Sequence, residues 1–169
     1  YQMWCCQCHT RGLLIKMRNI RLEQVKKSYL GEVILENINL TIPGGKIFAL
    51  LDPSGSGKTT ILRLIAGFDA VDEGRIYLGD EDIAHMPINE RHINTVFQNY
   101  ALFPHLNVYD IIAFSQRLKH VPEHVIAQKV EKVIKIVHLE KHIHKSIQQL
   151  SGGQQQRVAI ARAIINLYM

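Results

Sequence analysis

Three scarcities narrow what this chain can be. No apolar run reaches the ~18–20 residues needed to cross a bilayer, so the sequence predicts no transmembrane segment. Cysteine is confined to one end, where Cys5, Cys6 and Cys8 precede His9 and complete the count of three. The cluster fits the C-x-x-C-H haem-attachment spacing on paper. A zinc site would need a second ligand pair, and none follows at a suitable distance. The cluster therefore reads as an unpatterned tail. Charge of one sign is scarce as well: a net charge of +5 suits a small anionic ligand and is too little to argue for nucleic acid. Tyr1–Lys16 has no h-region of useful length, which predicts no secretory signal and a cytoplasmic setting. Repeats and low-complexity stretches are missing too.

What is present is a globular composition, 47% hydrophobic and 21% charged over 169 residues, enough for one domain with a real core. Periodic patterning starts at Met17, so residues 1–16 are set apart as a tail and 17–169 as a domain. Alternation over Met17–Ser28 and Glu32–Ile42, joined at Leu30-Gly31, predicts an antiparallel strand pair. Pro43-Gly44-Gly45 marks a turn. Lys46–Leu51, KIFALL, is a continuous apolar run that predicts a fully buried strand. A helix is expected from Lys58 to Ala66, closed by Gly67. Strands are expected at Gly74–Leu78 and Ile93–Phe97, and helices from Asn107, over Val121–His138 and over Gln154–Leu167. A helical subdomain is expected at about 99–153.

Pro53–Thr60, PSGSGKTT, follows the apolar run and opens the first helix. Successive backbone N–H groups at a helix N-terminus complement phosphate charge. Gly55 and Gly57 permit the close approach and the positive φ such a loop needs. Ser54, Ser56 and Thr60 complete the cradle, Lys58 adds a point charge for β- and γ-phosphates, and the Thr59 hydroxyl can ligate Mg²⁺. The pattern's first glycine is replaced by Asp52. A carboxylate ~6 Å from a phosphate charge repels it by about 3 kcal/mol at an effective dielectric of about 20, so Asp52 is expected to weaken ATP binding.

Leu150–Arg157, LSGGQQQR, again joins a hydroxyl, glycines and a helix N-terminus, which makes a second anion site. One nucleotide does not need two such sites on one chain; a head-to-tail dimer, each chain closing over its partner's ATP, resolves this. With both motifs in this order, the chain from Met17 onward resembles the ATP-binding subunits of ABC transporters. The resemblance implies an α/β P-loop NTPase fold with an N-terminal antiparallel β subdomain and a helical subdomain. It implies that Ser151, Gly153 and Gln154 contact the partner's γ-phosphate, that Gln98 reaches Mg²⁺ and the attacking water, and that Tyr29 stacks on adenine. It implies catalytic roles for Lys58 and Gln98. Phe103, Pro104 and His105 would lie near the groove that meets the transmembrane permease subunits, at the cytoplasmic face of the inner membrane. RLIAGFDAVDEGRI and NTVFQNYALFPHLNVYDIIAF are most similar to importers of polyamines, and sugar and iron importers share much of the pattern.

In that family a strand ending in Asp-Glu follows the signature helix, and a switch histidine comes later. Neither occurs before Met169, and all nine histidines precede the signature. The sequence thus predicts a C-terminally truncated form with an incomplete core sheet, exposed apolar faces and ATP hydrolysis near background. A non-catalytic nucleotide- or partner-binding fragment is the alternative. A DNA-repair ABC ATPase would carry long coiled coils between Gln98 and the signature, and residues 99–150 show no sustained heptads.

Overall fold

The computed structural model describes residues 18–51, 53, 55–97 and 99–167. The chain divides into two compact units, one over Lys16–Ile93 and one containing Asn94–Met169.

The first unit is built on an antiparallel sheet. Strands β1 (Ile20–Tyr29) and β2 (Glu32–Ile42) form the expected pair. β3 (Glu73–Leu78) and the short β4 (Glu81–Asp82) extend it in the order β2-β1-β3-β4. Between β2 and β3 the chain makes helix α1 (Lys58–Ala66). Period-two burial on the strands and period-3.6 burial on the helix converge on one core. Leu22, Val25, Ile76 and Leu78 come from the sheet, with Ile61, Leu64 and Ile65 from α1.

Arg91 anchors the far end of α1. It is buried, and its guanidinium donates to the carbonyls of Leu64 at 2.6 Å, Ile65 at 2.9 Å, Ala84 at 3.1 Å and Met86 at 2.8 Å. A cation on the last-turn carbonyls complements the helix dipole and satisfies groups that a helix end leaves open. Burial alone pulls its pKa down. The α1 axis, and with it the helix N-terminus at Lys58, is thereby tied to the core.

The second unit is a helical bundle of α2 (Val108–Leu118), α3 (Glu123–Ile136) and α4 (Gly152–Ile164), the last running on into a 3₁₀ turn at Ile165–Leu167. Ile111, Ile112, Ile126, Val130, Val133 and Val158 fill its core. Small Ala161 is fully buried there. The fully buried Gln116 donates to Asn166 at 3.0 Å and accepts from Lys129 at 2.9 Å, so its burial leaves neither amide atom unpaired.

Two expected strands do not form. Lys46–Leu51 takes no regular structure, and Ile47 is 85% and Leu51 91% exposed instead of buried. No strand forms over 93–97 either, although Val96 is buried. A continuous apolar run reports that a segment would prefer burial; it does not supply the neighbours whose N–H and C=O groups make it a strand. Among the described residues no strand pairs with either segment, and the sheet that does form is antiparallel throughout. Phe48, between them, is 41% exposed.

Candidate functional site

In the first unit, the glycine-rich loop leads into α1. Gly55 and Gly57 sit at φ 91° and 85°, the left-handed region that the loop's nest of N–H groups requires. Gly57 is the N-cap of α1, and it caps with no side chain; the first turn holds no acid. The dipole at this N-terminus is positive, and Gly57 places no capping side chain on its N–H groups. Helices α2 and α4 differ, being capped by Asn107 and Ser151 respectively. The Lys58 ammonium donates to the Pro53 carbonyl and, at 3.0 Å, to the Ser56 hydroxyl, so it lies along its own loop. Thr59 is exposed. Asp52, Ser54 and Gln98 lie outside the described residues.

Tyr29 ends β1 in the same unit and is 39% exposed. Its hydroxyl donates to Asp69 at 2.7 Å, and the Lys27 ammonium stands 5.3 Å from the ring centroid. Burial and the Asp69 carboxylate push the phenol's pKa up. Arg63, from the last turn of α1, donates to Asp69 through Nε at 2.6 Å and Nη2 at 3.1 Å. That grip, with the Tyr29 hydroxyl, holds the Asp69 carboxyl below its usual range.

The signature segment belongs to the second unit. Ser151 and Gln154 form a capping box: the Ser151 N–H donates to Gln154 Oε1 at 2.9 Å, and the Gln154 N–H donates to Ser151 Oγ at 3.4 Å. The second bond is long and weak, so the Ser151 hydroxyl is held only loosely by its own chain. Gln154 Nε2 is 3.3 Å from His142 Nε2. Gly152 and Gly153 adopt no positive φ, and a Cβ on either would meet nothing within 4 Å. Two residues on, Gln155 donates to the carbonyls of Ile147 and Leu150 at 3.1 and 3.2 Å, which fixes the turn entering α4.

Also in this unit, Phe103 packs on Phe114 at 5.0 Å and lies 6.0 Å from His105. Pro104 and His105 are exposed. Arg162 holds the adjoining turn through the carbonyls of Ala101 at 2.6 Å and Tyr100 at 3.0 Å.

The motifs and their local geometry agree with what comparison shows. The family profile described as ABC transporter matches residues 35–168. The chain belongs to the ABC transporter family. It is 54% identical over 152 residues to the spermidine/putrescine import ATP-binding protein PotA of Fusobacterium nucleatum subsp. nucleatum, which covers 90% of this chain and 40% of the relative. It is 50% identical over 147 residues to PotA of Pasteurella multocida, covering 87% and 40%. The chain thus spans about 40% of the length of the curated relatives it matches. Among solved structures, cbiO1 from Clostridium perfringens, part of the ABC transporter complex cbiONQ, aligns with a TM-score of 0.78 at 27% identity, over 89% of this chain and 62% of that one. MJ1267, an ATP-binding cassette of an ABC transporter, aligns at 0.77 with 24% identity, over 89% and 66%, and shares the fold. The P-loop NTPase class expected from the motifs therefore holds for this ABC-family chain. No helix among the described residues is long and apolar enough to cross a membrane.

The structure brings Tyr29, Gly55, Ser56, Gly57, Lys58, Thr59 and Thr60 into one compact unit, and Ser151, Gly153 and Gln154 into the other. Sequence reasoning missed Arg63, Asp69 and His142. An acid six residues from an arginine, across a helix end, has no periodic signature, and only the turn after Gly67 makes the two meet.

The paired acids give the fold a pH dependence. Asp69, Asp72, Glu123 and Glu131 are all held below their usual range, in each case chiefly by a cation's hydrogen bond: Arg63, Lys27, Arg117 and Lys135 respectively. A carboxyl with a depressed folded-state pKa stabilises fully above its unfolded value, and that contribution fades as pH falls toward the folded one. Thermal melting followed by circular dichroism should hold steady from pH 7 to about 5 and drop below about pH 4. A midpoint unchanged at pH 3 would contradict this.

Proposed function

We propose that these residues form the phosphate-holding and signature portion of an ATP-binding, energy-coupling importer subunit that hydrolyses ATP to drive solute uptake, with a polyamine as the solute. The observation that carries the reading is the contrast between two helix N-termini. That of α1 has a glycine N-cap with no side-chain cap bond, no acid in its first turn, and Lys58 as its first residue, which fits a polyphosphate. That of α4 is capped by its own Ser151, yet it presents two glycines that nothing among the described residues requires. Glycine in a helix is destabilising by roughly 0.5–1 kcal/mol relative to alanine, so Gly152 and Gly153 are explained by close approach of something from outside the chain. The identity to polyamine-import ATP-binding proteins supports the choice of solute.

In this reading the loop N–H groups and Lys58 hold the β- and γ-phosphates. The exposed Thr59 hydroxyl and Gln98 are the ligands this chain offers Mg²⁺. Among the described residues no cluster of acids and histidines could hold a metal by itself, which suits an ion bound largely by phosphate oxygens and water. Mg²⁺ would neutralise charge on the transferring phosphoryl group. Ser151, Gly153 and Gln154 close over the phosphates of a second copy, and the Phe103–His105 segment meets the permease subunits at the cytoplasmic face of the membrane.

The test is Gly153→Asp beside Gly153→Ala. With saturating Mg-ATP, sedimentation should show association of the parent chain and not of Gly153→Asp, whose carboxylate would face the partner's phosphates. Both variants should melt with the parent or slightly above it. Equal association of parent and Gly153→Asp would sink the head-to-tail arrangement.

A further inference from the structure

The phosphate site and the exposed Tyr29 ring are joined by a polar chain that the nucleotide-binding reading does not by itself require. Tyr29 stands at a strand end with two rotatable side-chain bonds, and an unrestrained ring there would lose freedom on stacking against a base. Its hydroxyl, however, donates to Asp69 Oδ2 at 2.7 Å. Asp69 is itself gripped by Nε and Nη2 of Arg63, and its side chain is only 15% exposed. Arg63 lies in α1, the helix whose first residue is Lys58. A second acid of the same turn, Asp72, accepts from the Ser28 N–H at 2.6 Å and from Lys27 at 2.7 Å. Lys27 in turn stands over the Tyr29 ring. The end of β1 is therefore held from both sides by the turn that follows α1.

We infer that Asp69 is a positioning residue for nucleotide recognition: through Arg63 it locks the Tyr29 ring to the phosphate-holding helix, setting base platform and phosphate loop at one spacing. The ligand class this selects is a nucleoside triphosphate over a bare polyphosphate, since only the former has a π-face to stack. The inference rests on the nucleotide-binding reading of the α1 loop and adds a residue and a discrimination to it. Charged hydrogen bonds such as Arg63–Asp69 are strong and geometrically specific, which suits them to fixing a side chain that must not move on binding.

The experiment measures affinity of the 169-residue chain for ATP and for inorganic tripolyphosphate, each with Mg²⁺, in the parent, Asp69→Ala and Tyr29→Phe. Tyr29→Phe keeps the ring and the acid and removes only their link, so it guards against a folding defect in Asp69→Ala. Both variants should lose about threefold to tenfold in ATP affinity while tripolyphosphate affinity stays within about twofold. Unchanged ATP affinity in both variants overturns the inference. So does an equal loss for the two ligands, which would make Asp69 a support for α1 alone. A parent that binds tripolyphosphate as tightly as ATP overturns the platform and leaves the phosphate site standing. A parent that binds neither overturns the nucleotide-binding reading and this inference with it.

Discussion

Lys58→Ala is expected to lower the chain's affinity for Mg-ATP by about two orders of magnitude. A unit charge ~4 Å from a phosphate charge is worth about 4 kcal/mol at an effective dielectric of about 20, part of which is offset by desolvation. The remainder corresponds to roughly a hundredfold. Lys58 is only partly buried, and its ammonium bonds the Pro53 carbonyl and the Ser56 hydroxyl of its own loop. The variant should therefore melt within a degree or two of the parent, which separates a lost ligand contact from a lost fold. Calorimetric titration of both chains decides it: affinities within about threefold of each other would mean that the α1 loop does not hold the phosphates.

Gly74→Ala should have the largest effect on stability. Gly74 sits at φ +88°, and a Cβ there would collide with the backbone carbonyl oxygens of Gln24 and Glu23. Backbone on both sides leaves nothing that can rotate aside. β1 and β3 shift register between Glu23 and Lys26, and this irregularity is what brings the carbonyls so near. The expected cost is about 3 kcal/mol, or a drop of more than about 10 °C in melting temperature for a unit of this size. Gly55→Ala is the control. Gly55 has a similar φ of +91° but open space around its missing Cβ, so it should cost only about 1 kcal/mol of backbone strain. A Gly74→Ala chain that melts with the parent, or a Gly55→Ala chain that falls as far, would refute the close-approach account.

The two glycines also show how legible the molecule was in its sequence. Gly55 and Gly57 announce themselves because Lys58 and Thr59 follow them in a pattern that fits phosphate chemistry. Gly74 gives no such sign: its constraint comes from a bulge in β1 some fifty residues earlier. The antiparallel pair β1 and β2 and the helices α1 and α3 could be read from alternation and period, because each is specified by its own residues. KIFALL could not. Its apolarity was plain, but a buried parallel strand is made by its neighbours, and Ile47 and Leu51 face solvent where none is paired with them. The signature residues stand at a helix start, as their sequence suggested. That Ser151 and Gln154 cap each other, with His142 beside the amide, was not.

By itself, then, the sequence determined the family, the order of its motifs and the chemistry each can perform, because those depend on residue types at short, fixed spacing. Tertiary structure alone decided that α1 begins with no side-chain cap bond from its N-cap while α4 is self-capped. It alone decided that Arg91 ties α1 down by its last carbonyls, and that Asp69 reaches both Arg63 and Tyr29. Those are meetings between segments distant along the chain, and no local pattern records a contact that a turn and a packed core create.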